Sequence, residues 1–316
     1  MNAAQERSPA VSVVIAAFNA EGTIGETLES IGAQTFRDFE VIVVDDGSTD
    51  GTAKVVQDKA ENIPALECIG QANLGQPAAR NRGISASRGR YVAFVDADDV
   101  WMAGKLEKQV RYFEGHLEAG LVYSDAEFFN DASGKTLCRL SDKCRLYEGD
   151  VLEQLLLRSF IASPTPMVRR EVFDESGLFD ESRAVAFGED WNMWLRIAER
   201  RLFGVIREPL ARVRVHEGSM MRSSNTEAVY ASKRRIVEQA VARNPDQLER
   251  IRPRVLAGLA DSAGLRYLRL GDKRNARRMF ARALRERPWN VPGWAFFAST
   301  WLPGGLLTAM NRWREA

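Results

Sequence analysis

At 316 residues the chain has room for one large domain and a smaller second one, and its 45% apolar and 28% charged content is that of an ordinary globular protein. Its 44 Lys and Arg nearly cancel its 43 Asp and Glu, which excludes a global field aimed at nucleic acid or an anionic membrane. The cysteines, Cys68, Cys138 and Cys144, show neither metal-ligand spacing nor an even disulfide set, so a reducing cytosol is expected. The opening MNAAQERSPA lacks the basic and apolar regions of a signal peptide, and no apolar run is long enough to span a bilayer. A cytoplasmic location is the expectation.

Val11–Ala17 is an apolar, β-rich run of the kind buried on both faces of a parallel sheet. Ile24, Leu28 and Ile31 then recur at helical spacing, predicting a helix from about Thr23 to Gln34. A second apolar run, FEVIVV, ends in the polar segment Asp45-Asp46-Gly47-Ser48-Thr49-Asp50-Gly51, with a helix expected from Thr52. Asn73 to Gly83 reads as a loop entering a helix, with Arg80 and Arg82 free for anionic oxygens or nearby carboxylates. A third run, Tyr91 to Val95, leads straight into Asp96, Asp98 and Asp99. This alternation predicts a doubly wound α/β domain, in which ligands bind beyond the carboxyl ends of the strands. If the chain stays extended, Asp96 and Asp98 share one side and Asp99 takes the other. Paired carboxylates there suit a hard cation such as Mg²⁺ or Mn²⁺ shared with a phosphate, or simply a solvated acidic turn.

Together VSVVIAAFN, FEVIVVDDGSTDGT, NLGQPAARNRG and GRYVAFVDADDVW resemble, in content and order, the motifs of family 2 glycosyltransferases of the GT-A fold. The resemblance implies a metal-dependent sugar transferase using a nucleoside diphosphate sugar, expected to be UDP-linked, with Mn²⁺ or Mg²⁺ as cofactor. Carried over by position, it implies that Ala17, Phe18, Asn19, Asp46, Asn73, Arg80, Asp96 and Ala97 bind the nucleotide sugar. Phe18 would stack on the base and Asp46 would accept from its edge, with Asp45 meeting backbone or Arg80. Ala17-Phe18 stands where a Pro or Thr-Tyr is common, which leaves base preference open. Asp98 would hold the metal with Asp96 and His216, and Asp99 would brace the following helix.

Further along, Lys105 to His116 is expected to be a helix, Leu121 to Ser124 a strand, and the polar run from Asn130 to Cys144 a hairpin or loop. Pro164 and Pro166 keep their segment extended. Ser163 and Thr165 could meet an acceptor hydroxyl or serve turn chemistry alone. In Gly188-Glu189-Asp190-Trp191, acidic residues open an apolar helix, as the macrodipole favours. The resemblance implies a catalytic base there: Asp190, with Glu189 as support or runner-up. It would deprotonate an acceptor hydroxyl in a single inverting displacement. Arg214 and His216 match a late R-x-H motif, and the stretch to Asn225 would close as a lid.

From Tyr230 the pattern turns helical and rich in Arg and Ala. Gly264, Tyr267, Gly271, Ala276, Phe280, Ala283 and Pro288 match one tetratricopeptide-like repeat. The resemblance implies a GT-A, doubly wound (Rossmann-like) mixed-sheet α/β domain over 1–225, followed by a smaller all-α region over 226–290 and an apolar and basic tail over 291–316. The tail could give peripheral contact at the inner face of a membrane, or the C-terminal region a homodimer. The acceptor is expected to be a glycan or lipid-linked glycan in cell-surface polysaccharide synthesis, with no nucleic acid partner. A non-catalytic sugar-nucleotide-binding protein acting through its helices is the alternative. A sugar nucleotidyltransferase is disfavoured, because Phe18-Asn19-Ala20-Glu21-Gly22 supplies no phosphate-gripping glycine loop.

Overall fold

The computed structural model describes residues 8–63, 65–185, 187–216 and 225–301. They form two compact units, the first drawn from the stretches 1–182 and 189–219 and the second from 183–188 and 220–316, in each case their described residues.

The first unit is built on a mixed sheet. Its parallel half joins β1 (Val11–Ala17), β2 (Phe39–Asp45), β3 (Leu66–Gly70) and β4 (Tyr91–Asp96). The other half adds β5 (Val100–Trp101), β6 (Ala119–Asn130), β7 (Thr136–Arg139), β8 (Met167–Arg169) and β9 (Leu202–Val215). The spatial order is β3-β2-β1-β4-β8-β6-β9-β5, with β7 pairing on β6 as a hairpin. β8 runs antiparallel to both β4 and β6, and β6 and β9 run parallel. The sheet is therefore mixed. The segment expected as a strand over Leu121–Ser124 lies in the first half of the longer β6.

Five helices of eight or more residues flank the sheet among the described residues: α1 (Ile24–Gly32), α2 (Thr52–Lys59), α3 (Gln76–Ala86), α4 (Lys105–Gly115) and α5 (Glu189–Ala198). α1 buries Ile24, Leu28 and Ile31, the residues whose spacing predicts it. α3 has almost no apolar stripe, and its docking depends on a missing side chain. A Cβ on Gly83 would lie 2.4 Å from Val14 Cγ1, so only glycine lets α3 rest on β1.

In the second unit, α6 (Thr226–Arg243), α7 (Arg252–Arg269), α8 (Lys273–Glu286) and α9 (Val291–Ser299) follow one another. Ala257, Ala260 and Ala263 of α7 pack with Met279 and Ala283 of α8 and Tyr230 of α6. Asn225 caps α6 by accepting from the Glu227 and Ala228 N–H groups. Two expectations fall partly or wholly outside the described residues: the lid before Asn225 and the tail beyond Trp301.

Candidate active site

Strand register sets the site. Ala17 lies beside Asp45 and Ala16 beside Asp96, so Phe18, Asp46 and Ala97 leave three adjacent parallel strands at one edge. The loops that follow lock into each other. Asn19, held at φ +48°, donates its N–H to Ser48 Oγ (2.9 Å) and accepts from the Thr49 N–H (2.8 Å) through Oδ1. The Ala20 N–H donates to Thr52 Oγ1 at 2.8 Å, and Gly51 N–H to Glu21 Oε2 at 2.6 Å. Asp45 accepts from the Ser48 N–H at 3.0 Å, so backbone rather than Arg80 is its partner. The aromatic at this edge is not core: the Phe18 ring is 49% exposed and free to stack on a flat ligand.

Asp46 is buried and already engaged. Its Oδ1 accepts from Gln71 Nε2 (2.7 Å) and the Leu74 N–H (2.9 Å), and its Oδ2 from the Gly75 N–H (2.8 Å). A carboxylate oxygen can accept twice, and Oδ2 has one hydrogen-bond partner among the described residues. Gly47, at φ +78°, makes room for the same loop, since a Cβ there would sit 2.9 Å from Asn73 N. Asn73 is thus placed beside Asp46 by backbone packing.

The aspartate cluster departs from the extended geometry expected for it. β4 ends at Asp96, and the Asp99 N–H donates back to the Asp96 carbonyl at 3.2 Å, closing a turn. The carboxylates therefore go to different partners instead of alternating. Asp96 Oδ1 accepts from Arg80 Nη2 at 2.8 Å and Gln76 Nε2 at 2.9 Å. Asp98 Oδ2 lies 3.3 Å from His216 Nε2. Asp99 is buried and accepts from the Arg214 N–H at 2.9 Å, so it braces β9 and not the following helix. Arg214 also donates from Nε to the Asp98 carbonyl (2.7 Å), from Nη1 to Asp131 (2.6 Å), and from Nη2 to Glu26. Thr23 Oγ1 donates to the Ala97 carbonyl at 3.0 Å, tying the turn to α1.

Burial, and then the charge of Asp96, push the Asp98 carboxyl above its usual range, while His216 opposes the rise. Burial followed by Asp96 and Asp98 pushes Asp99 higher still, against Arg214. The turn is an acidic cluster that a cation would relieve.

Arg80 is the hinge between the two halves of the site. Buried to 4% exposure, it holds Asp96 with Nη2 and Glu189 with Nη1 at 3.1 Å, above the Phe179 ring at 5.4 Å. Burial alone would lower its pKa, but Asp96, Glu189 and Asp190 together raise it, so it stays charged. Next to it, Asn81 Nδ2 donates to the Phe179 carbonyl (2.9 Å) and Glu181 (2.7 Å), while its Oδ1 accepts from the Phe179 N–H (2.8 Å). One helix thus grips both the Asp96 turn and the approach to α5. Asp190 follows Glu189 in the first turn of α5, with Oδ1 accepting from the Trp191 N–H at 2.6 Å. Trp191 and Trp194 are core. Thr165 is buried, donating to the Ala162 carbonyl at 2.7 Å, which is turn chemistry. Gln76, Asn81 and Glu26 carry weight that residue types alone did not suggest, although Gln76 and Asn81 both stand inside the NLGQPAARNRG motif.

Metal donors are incompletely gathered. Asp98 and His216 face each other, Asp96 is held aside by Arg80 and Gln76, and no group of three or more His, Cys, Asp or Glu forms a ready metal cage among the described residues. A carboxylate and an imidazole are a fitting partial set for Mn²⁺ or Mg²⁺, whose remaining positions suit phosphate oxygens and water.

Residues 12–177 match the pattern described as glycosyl transferase family 2. A glycosyltransferase of Rickettsia bellii is 33% identical over 210 residues, which are 66% of this chain and 29% of that protein. One of Methanocaldococcus jannaschii is 30% identical over 213 residues, 66% of this chain and 71% of that protein. The chain spans about a third of the length of the relatives from Rickettsia bellii, Rickettsia felis and Rickettsia conorii. Among solved structures, Staphylococcus aureus TarS 1–349 in complex with UDP-GlcNAc superposes with a TM-score of 0.66 at 20% identity, covering 92% of this chain and 90% of that one. The mannosyltransferase PcManGT of Pyrobaculum calidifontis, in complex with GDP-Man and Mn²⁺, gives 0.60 at 21% identity, covering 96% and 84%. These likenesses show the fold, a GT-A-type mixed sheet with helices. With the family pattern running from β1 to the turn after β8, this chain belongs to glycosyl transferase family 2.

Proposed function

We propose that the chain is an inverting glycosyltransferase that moves a sugar from a nucleoside diphosphate donor to a hydroxyl of a glycan or lipid-linked glycan. The observation that carries this reading is Arg80 holding Asp96 and Glu189 at once, which ties a donor-side acidic turn to the helix headed by Asp190. UDP is the favoured nucleotide, supported by the UDP-GlcNAc bound in TarS, and the exposed Phe18 offers a stacking face for its base.

In this reading Phe18 stacks on the base, and the free position of Asp46 Oδ2 accepts from its edge. Asp98 and His216 would hold a divalent cation, which supplies charge neutralisation for the departing diphosphate; Mn²⁺ bound in PcManGT supports this. Asp190 accepts the proton of the acceptor hydroxyl as its oxygen bonds to the anomeric carbon. The bond from that carbon to the diphosphate oxygen breaks, and the electron pair leaves with the nucleotide. Glu189 is a positioning residue, anchored on Arg80. The helical unit is tetratricopeptide-like in our reading, supported by Gly264, where a Cβ would lie 2.5 Å from the Phe280 ring. Cell-surface polysaccharide synthesis is the process that fits a glycan acceptor.

Nucleotide release from UDP-GlcNAc, followed over time with a panel of glycan acceptors, tests the reading. Acceptor-dependent UDP release that is lost in Asp190→Asn, with donor binding retained, is expected. Undiminished turnover in that variant would remove Asp190 as the base. Donor binding without turnover in the unaltered chain would favour a binding protein.

A further inference from the structure

α9 contains no charged residue and is apolar around its whole circumference. One side packs on α8, where Phe296 stacks on Phe280 at 5.6 Å. Its other side is open among the described residues. Trp294, Phe297 and Trp301, spaced along one helical face, form edge-to-face contacts at 6.0 Å and 4.9 Å. Trp294 is 52% exposed, Trp301 56%, and Trp289 just before the helix 93%. So much contiguous aromatic surface marks a contact site.

Its surroundings are cationic. From Lys273 to Trp301 the chain has seven basic residues and a single acidic one, Glu286. Arg278 and Arg282 turn away to pair with Glu227. Arg277 lies over the Trp301 ring at 4.0 Å and donates to Thr300 Oγ1 at 3.1 Å. Arg274, one turn earlier, is exposed, as are Arg285 and Arg287 beside Trp289. The overall charge of the chain is near neutral, so this is a local concentration.

We propose that this face seats the helical unit on an anionic lipid bilayer, with the tryptophans in the interface and the arginines among the headgroups. Tryptophan has an apolar body and a polar N–H, which suits that boundary, and guanidinium groups pair with phosphates. Charge complementarity selects this occupant over a second copy, because a symmetric dimer through the stripe would bring two arginine clusters together. The surface lies on the membrane and does not cross it, since no helix among the described residues is long and apolar enough to span one. The inference concerns the helical unit and stands apart from the reading of the active site.

The test is co-sedimentation of the full chain with vesicles of phosphatidylcholine and phosphatidylglycerol, against phosphatidylcholine alone, at low and high salt. Binding to the anionic vesicles that weakens with salt is expected, with a blue shift of tryptophan emission. Trp294→Ser/Trp301→Ser should weaken partitioning about tenfold or more, on the scale of burying interfacial rings. Arg274→Glu/Arg285→Glu, at exposed positions that leave the fold intact by circular dichroism, should weaken it similarly at low salt. Equal binding to both vesicle types, or full binding by the charge-reversed variant, overturns the proposal. So does a dimer in sedimentation that Trp294→Ser/Trp301→Ser converts to monomer without any vesicle binding, which would assign the face to a second copy.

Discussion

Arg80 and Asp190 separate the two jobs a charged residue can do in this site. Arg80 is buried between two carboxylates, so removing it takes this counter-charge from both of them. We expect Arg80→Ala to cost about 3–5 kcal/mol in urea unfolding, the range for breaking a buried ion pair. Arg80→Lys should recover little of this, because a single ammonium cannot reproduce a fork that reaches Asp96 and Glu189 together. A wild-type unfolding midpoint in Arg80→Ala would mean that the bridge contributes nothing. Asp190 is different: its hydrogen bond is to a backbone N–H in its own turn, and it meets Arg80 through charge alone among the described residues. Replacing it with Asn should leave stability within about 0.5 kcal/mol, as for residues outside the core. It should also lower kcat by about 10²–10⁴, the usual share of a general base, with donor Kd unchanged. At this scale the motifs named the residues that gather at the carboxyl edge of β1, β2 and β4. They did not expose partner choice, such as Asp99 bracing β9 or Asp46 gripping the 71–75 loop, since residues far apart in the chain make those contacts.

Helices show how one missing or one buried group sets an element's behaviour. Gly83→Ala should push α3 off β1, costing about 1–3 kcal/mol as an overpacked core does. Val14→Ala, which empties the position facing it, should return part of that loss in the double variant; strictly additive losses in a double-mutant cycle would mean the two do not touch. In α7, Asp261 has a buried Oδ1 without a hydrogen-bond partner, and burial raises its pKa to about 6, against some relief from Arg287. The folded form favours the proton, so this stabilising contribution is complete below the ordinary carboxylate pKa of 3.8. It is lost as pH rises toward about 6. Asp261→Asn should therefore be more stable than the wild type at pH above about 7, by roughly 1 kcal/mol after discounting for water contact, and should show no advantage near pH 4. Identical pH–stability curves for the two chains would show that Asp261 does not ionise in this window. Elements with strong periodicity, β1, β2, β4 and α1, are plain in the sequence because both faces or one stripe are buried. β3 is not, because its edge position leaves three of its residues exposed and breaks the apolar run.

For the molecule as a whole, ligand linkage gives the broadest check. A donor that binds only the folded chain should raise its melting temperature, by the equivalent of about 2.7 kcal/mol at a hundredfold excess over Kd. With UDP-GlcNAc the shift should be larger in Mn²⁺ and reversed by EDTA. An equal shift in EDTA would free the site from metal and reassign Asp98 and His216. The chain by itself determined the family, the parallel strands and the acidic turn, because buried strands and tight loops impose local demands on residue type. Tertiary structure alone decided the strand order, the division of Asp96 from Asp98, and the bridge through Arg80. These depend on which distant groups a packed, poorly solvated interior forces to neutralise one another, and no spacing along the chain records that. The turn after β4 is the clearest case: three aspartates within four residues end on three different partners in space.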